Sequence, residues 1–188
     1  RITVEPGGQV ELSGAALPTA VGGVDVLRSH VAEVRELGAG LGIHFLGIGA
    51  RPFGTIDDVP WLPKRRYGVM RTYFPTYGRS SRLAHYMMRQ TATVQANFDY
   101  LDEAEAAAKI RTGFGVTSIV TALFAASPIS EGRPNGFKSF RAAIWLETDE
   151  DRAGLLPFVF QSGFAFRDYA EWALDVPMFF VVRGGHYR

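Results

Sequence analysis

Glu5 and Glu11 stand on either side of the breaker cluster Pro6-Gly7-Gly8. The flanking runs, residues 2–5 and 9–13, read as two short strands around that turn. Glu5 falls on one strand, and Gln9 and Glu11, two residues apart, share a face of the other. Carboxylate and amide oxygens grouped in this way suit a hard cation such as Mg²⁺, which also takes water and commonly helps to hold substrate phosphates. The same pattern describes a polar hairpin face turned to solvent, and the residues alone leave both readings open.

A second polar row lies at Thr91, Thr93, Gln95, Asn97 and Asp99, alternating with Ala92, Val94, Ala96, Phe98 and Tyr100. Period two places successive side chains on opposite faces, so the expectation is a half-buried strand over 91–100 with one wholly polar side. That side would line a substrate cleft or form the wet face of an antiparallel sheet. It carries no lysine or arginine. The cations stand elsewhere: Lys64-Arg65-Arg66 precedes a helical pattern, and Arg141 sits in the apolar context Phe140-Arg141-Ala142-Ala143-Ile144-Trp145. A guanidinium fork matches carboxylate or phosphate geometry, while a surface salt bridge or an internal ion pair is the plainer use of each.

Other chemistries find no support. The four histidines have no metal-ligand spacing, and there is no cysteine to form a disulfide, a thiolate site or a nucleophile. No nucleophile elbow, dinucleotide fingerprint or Walker-type loop occurs. An ATP enzyme without these would hold phosphates through metals and arginines. Twenty Lys and Arg offset nineteen Asp and Glu, for a net charge of +1, so nothing in the balance asks for a nucleic-acid partner. No apolar run reaches the ~20 residues needed to span a bilayer; the longest, residues 116–126, reads as a buried helix. With 47% hydrophobic and 21% charged residues the chain has ordinary globular composition, and the absence of cysteine fits a reducing cytoplasm.

The elements that must position these groups follow from periodicity. Helices are expected over 24–38 with Gly38 as a stop, 65–73, 102–126 with Asp102 as N-cap, and 165–174. Gly113 and Gly115 weaken the middle of the third. A strand is expected over 43–49 and a final buried strand over 176–182, residues 127–134 read as a loop, and 138–147 are ambiguous. The spacing is too irregular for repeated βαβ units, which favours an α+β fold with a mainly antiparallel sheet and flanking helices. Both ends look cut, and the 188 residues read as a single fragment of a larger catalytic domain.

A resemblance sharpens this picture. EPGGQVELSG at 5–14 closely resembles the EPGGQ-x-ELSGA segment of plant and proteobacterial glutamate–cysteine ligases. The likeness continues in order: FLGIG at 45–49 with GFLGIG, PKRRY at 63–67 with PKGRY, and TATVQAN at 91–97 with TCTVQVN. TALFAASP at 121–128, EGRPNGF at 131–137, LLPFVF at 155–160 and ALDVPM at 173–178 match TALFANSP, EGKPNGF, GMLPFVF and ALDVPM. It extends over essentially the whole chain.

The resemblance implies ATP-dependent ligation of the γ-carboxylate of glutamate to the amine of cysteine through a γ-glutamyl phosphate, the first step of glutathione biosynthesis. It implies a fold related to glutamine synthetase, with missing N- and C-terminal parts of the same enzyme, Mg²⁺ as cofactor, and glutamate, cysteine and ATP as its small-molecule partners. Carried over by position, Glu5, Glu11 and Gln95 resemble metal ligands. Arg66 and Arg141 resemble the arginines that hold substrate carboxylate or the transferring phosphoryl group. Thr93 corresponds to a contact with the glutamate, and Trp145 and Phe179 to the cysteine pocket. Phe179 departs from the tyrosine of plant sequences, Ala92 replaces a cysteine, and segment 77–86 is longer than its plant counterpart. The Phe179 change leaves open a carboxylate–amine ligase with another acceptor; a non-catalytic amino-acid or nucleotide-binding module is the alternative from a different class. The fragment alone is expected to lack turnover.

Overall fold

The computed structural model describes residues 1–75 and 83–187. It begins with the expected hairpin. β1 (Ile2–Val4) pairs antiparallel with β2 (Val10–Leu12), Thr3 lying opposite Glu11. The turn closes through Gly8 N–H to the Glu5 carbonyl and Glu5 N–H to the Gln9 carbonyl, both at 2.9 Å. Gly8 supplies the left-handed conformation at φ 89°, which any side chain would disfavour. Thr3 and its partner Glu11 share one face of the ladder, and Glu5 and Ser13, just beyond the strand ends, continue the alternation on that side.

Six helices follow. α1 (Ala20–Leu41) is capped by the Thr19 hydroxyl and ends at Gly42, which adopts the left-handed cap at φ 68°. Gly38, expected as the stop, instead lies buried inside the helix against Ile43 and Phe45. α2 (Arg65–Tyr73) has the expected bounds, and α3 (Ala84–Gln90) follows it. α4 (Glu103–Leu123) starts where Asp102 accepts from Glu105 N–H at 2.8 Å, and it runs through Gly113 and Gly115 undivided. α5 (Phe140–Leu146) resolves the ambiguous stretch, capped by Ser139, and α6 (Phe166–Asp175) closes the series.

The α+β class holds and the paired strands are antiparallel, but they do not join into one sheet. Among the described residues the strands form three separate two-stranded antiparallel ladders: β1–β2, β3 (Ile129–Ser130) with β4 (Arg133–Pro134), and β5 (Val182–Arg183) with β6 (His186–Tyr187). The strand expected over 91–100 is irregular apart from one bridge between Thr91 and Ala50. The strand over 43–49 is irregular too, and of 176–182 only Val182 joins a ladder. Alternation specifies a two-faced segment, but a strand exists only where a neighbour takes up its N–H and C=O groups. Here the pairing is confined to the ends: the Thr91–Ala50 bridge, the hydrogen bonds of Gly49 with Ala92 and Ala126, and Val182 opposite Tyr187.

The core forms where α2 meets α3: Tyr67, Phe74, Ala84 and Met88 are buried together, with Trp61, Leu62, Tyr73 and Phe179 packed around them. α3 also packs on α5, and α4 on α6 and on the 3₁₀ turn Pro157–Phe160. The apolar end of α4 is not the buried helix its sequence suggests, since Leu123 and Phe124 are at least three-quarters exposed. No helix among the described residues is long and apolar enough to cross a membrane. The longer segment noted at 77–86 lies outside the described residues over 77–82.

Candidate active site

Arg1, Thr3, Glu5, Glu11, Ser13, Lys64, Arg65 and Arg66 line an open cleft of about 670 Å³. The hairpin contributes its odd-numbered face and the start of α2 the basic wall opposite. The Glu5 carboxylate makes no hydrogen bond or ion pair among the described residues. Glu11 accepts from the Ser13 hydroxyl at 3.1 Å. Lys64 Nζ donates to the Val4 carbonyl at 2.7 Å, which ties the basic wall to β1. Arg65 reaches the Gly185 carbonyl at 3.4 Å, and Arg66 donates to the Tyr67 hydroxyl at 2.9 Å while its guanidinium lies 4.9 Å from that ring's centre. Two carboxylates facing several cations can accommodate an anion and a hard cation together.

Gln9 does not belong to this polar face. Its Oε1 accepts from Gly7 N–H at 2.9 Å, and its Nε2 donates to the carbonyls of Thr91 at 3.0 Å and Met88 at 3.4 Å. The side chain thus satisfies orphan carbonyls at the end of α3 and latches the hairpin to it. Gly7 makes the approach possible, because a Cβ there would stand 2.1 Å from the Arg89 carbonyl oxygen. The neighbouring Pro6 carbonyl accepts from Leu62 N–H at 2.9 Å. Arg89, buried in α3, donates to the Val59 carbonyl at 2.5 Å and lies over Trp61, 4.9 Å from the ring centre. These bonds fix the hairpin to the core and so set where Glu5 and Glu11 stand.

A second basic position hangs from the same framework. From the end of α3, Ala92 N–H donates to the Gly49 carbonyl at 3.1 Å, and Gly49 N–H to the Ala126 carbonyl at 3.0 Å. Beside it the Ser127 hydroxyl, 2% exposed, accepts from Arg141 N–H at 3.0 Å. Arg141 packs on Gly49, its guanidinium 5.6 Å from the centre of the Trp145 ring. Its Nε is buried with no hydrogen-bond partner among the described residues. Burial pulls Arg141 below the ordinary guanidinium value, yet an arginine retains its charge. A buried, unsatisfied guanidinium N–H is costly unless an anion completes it.

The remaining expected residues are dispersed. Phe179 packs into the α2–α3 core, its ring edge-on to Tyr73 at 4.7 Å and to Phe74 at 5.7 Å. Thr93 is exposed and bonds only to its neighbour's carbonyl, and Gln95 donates to Asn97 at 2.9 Å. Neither Gln95 nor Thr93 lines the cleft of Glu5 and Glu11. α2 is the element in common: Arg66 faces the cleft near its start, and Tyr73 meets Phe179 about 10 Å further along the axis. The sequence reading missed Thr3 and Ser13 as cleft residues, although strand alternation puts both on the face of Glu5 and Glu11. It gave no role to Arg152, which touches Phe179.

Comparison with known proteins decides the family. The model of glutamate-cysteine ligase family 2 (GCS2) matches residues 1–188. The chain belongs to that family. It is 48% identical over 186 residues to the chloroplastic glutamate–cysteine ligase of Brassica juncea, and 48% identical over 186 residues to that of Arabidopsis thaliana. To chloroplastic glutamate–cysteine ligase B of Oryza sativa subsp. japonica it is 47% identical. In each case 99% of this chain is covered, but only 36%, 35% and 37% of the respective relative. The chain therefore spans little more than a third of these relatives. Their names also overturn the cytoplasmic expectation, since these similar proteins are chloroplastic; a lack of cysteine says nothing that separates the two compartments.

Proposed function

We propose that this family member forms part of the catalytic centre of an ATP-dependent ligase joining the γ-carboxylate of glutamate to the amine of cysteine. The observation that carries the reading is the EPGGQ hairpin, latched by Gln9 so that Glu5 and Glu11 face Lys64, Arg65 and Arg66 across one cleft. In the reaction a γ-carboxylate oxygen attacks the terminal phosphorus of ATP and ADP leaves. The cysteine amine then attacks the acyl carbon, phosphate departs, and the amine's extra proton goes to solvent or a nearby base.

This chemistry rests on positioning and charge neutralisation, and the basic residues supply both. Arg66, at the start of α2, would hold a substrate carboxylate or phosphoryl oxygen at the cleft. Arg141 would offer its buried, unpaired Nε–H to a second anionic group. Thr93 is assigned to the glutamate and Trp145 and Phe179 to the acceptor side, by their correspondence with the family pattern. Glu5 and Glu11 fit a partial ligand set for Mg²⁺, which binds through one or two carboxylates and otherwise takes water and phosphate oxygens. No group of three or more His, Cys, Asp or Glu that could hold a metal occurs among the described residues, so these two carboxylates would hold the ion only together with water and substrate oxygens. Gln95 would be a further oxygen donor. When bound, the metal would neutralise phosphoryl charge.

On this reading the chain is one portion of a glutamine-synthetase-like fold, completed by the rest of a longer polypeptide. The exposed apolar side chains of Val94, Phe98, Leu123 and Phe124 form surface that soluble proteins usually cover. Phe179, in place of the plant tyrosine, favours one variant of the reading, a ligase with a different acceptor amine. Both are separated by incubating the complete polypeptide with ATP, Mg²⁺ and glutamate and adding cysteine or other amines in turn. Cysteine-dependent phosphate release with γ-linked dipeptide as product is the expected result. Stimulation by another amine would move the assignment to a related ligase, and no amine-dependent release would leave only a binding module.

A further inference from the structure

Arg152 lies between α5 and α6 and is held at several points. Its Nη1 donates to Asp149 Oδ2 at 2.5 Å, and that carboxylate is 2% exposed. Its Nη2 donates to the Pro177 carbonyl. The guanidinium carbon stands 3.8 Å from the centre of the Phe179 ring and 5.8 Å from that of Tyr73. A planar cation stacks well on an aromatic face. Arg152 is thus bonded to the chain two residues before Phe179, stacked on the Phe179 ring, and braced from behind by a buried carboxylate.

We infer that Arg152 is the positioning residue that holds Phe179 and Tyr73 in place and so shapes the acceptor end of the site. The inference rests on the ligase reading, in which Phe179 lies on the acceptor side. Arg152 does not itself bind substrate: its fork is occupied by Asp149 and Pro177. Its work is geometric. Phe179 lacks the hydroxyl that a tyrosine would use to fix its ring through a polar contact, and the ring is located instead by stacking under the guanidinium and by its edge-on contact with Tyr73. α2 carries Arg66 at its other end, outside this cluster. Loss of the clamp therefore loosens the acceptor wall and spares the cleft of Glu5 and Glu11.

The test compares Arg152→Ala and Arg152→Lys in the complete enzyme, measuring KM for cysteine, glutamate and ATP separately, and selectivity for cysteine over 2-aminobutyrate. Arg152→Ala should raise KM for cysteine about tenfold and lower the selectivity, leaving the other two KM values within about twofold. Arg152→Lys keeps the charge opposite Asp149 but loses the planar stack, and should recover part of the cysteine affinity. Unchanged cysteine KM in folded variants would overturn the inference. So would a proportionate rise in all three KM values, or loss of folding in both variants, since either assigns Arg152 to general stability. Absence of cysteine-dependent turnover in the unsubstituted enzyme would be a different failure, bringing down the ligase reading and this inference with it.

Discussion

Replacing Gly7 with alanine would put a methyl group 2.1 Å from the Arg89 carbonyl oxygen, and 2.6 and 2.7 Å from its Cα and carbonyl carbon. These are backbone atoms of α3 and cannot rotate aside. The first separation is more than an ångström short of ordinary contact, so the hairpin must back away from the helix. Moving it that far strains or breaks the two hydrogen bonds from Gln9 to the end of α3. Overpacking of this kind costs about 1–3 kcal/mol, and each lost hydrogen bond adds about 1 kcal/mol. A loss of about 4 kcal/mol is a reasonable centre, equivalent to a fall in Tm of roughly 10 °C for a chain of this size. Gly8→Ala is the control. Its Cβ meets nothing within 4 Å, so only the strain of φ 89° applies, about 1–2 kcal/mol. Urea and thermal unfolding of both variants should rank Gly7→Ala well below Gly8→Ala. If Gly7→Ala were no less stable than Gly8→Ala, the close docking of hairpin on helix would be refuted.

Burial holds the His85 imidazole below its ordinary value of about 6.5, so the folded protein resists a proton that the unfolded chain accepts. The unfolded state then binds more protons as pH falls below about 6.5, and stability is lost in that direction. His85→Phe, keeping the edge-on contacts with Trp61 and Phe74, should reduce the drop in urea midpoint between pH 7 and pH 5; an unaltered drop would rule His85 out as its source. Arg141→Lys in the complete enzyme should lower kcat on the order of a hundredfold, because Lys is a point charge without the guanidinium fork. Its circular dichroism should be unchanged, and near-normal turnover would remove Arg141 from the reaction.

Local features were readable from sequence. Asp102 predicts the start of α4 because an N-cap needs only the N–H groups of the next turn. The Pro6-Gly7-Gly8 hairpin and α2 follow from equally local signals. Gln9 was misread because its partners, Met88 and Thr91, lie about eighty residues away. The row at 91–100 was read as a strand from a true alternation, but nothing in the alternation reveals whether a neighbour is present to pair with it. Glu5, Glu11 and Arg66 line one cleft, whereas Gln95 and Thr93 stand apart from it; which residues would share a cleft depends on the docking of hairpin on helix, which sequence spacing does not show. Arg152 carried no signal at all, because its significance comes from residues 149, 177 and 179 meeting in space.

The most direct test of the cleft as the working centre is a Mg²⁺ titration of ATP- and cysteine-dependent phosphate release by the complete enzyme and its Glu5→Gln variant. Glu5 makes no hydrogen bond or ion pair among the described residues that the substitution would break, so folding should be intact by circular dichroism and urea midpoint. The expected result is loss of activity at Mg²⁺ concentrations that saturate the unsubstituted enzyme. A folded Glu5→Gln enzyme with normal activity and normal Mg²⁺ dependence would contradict the assignment of this cleft.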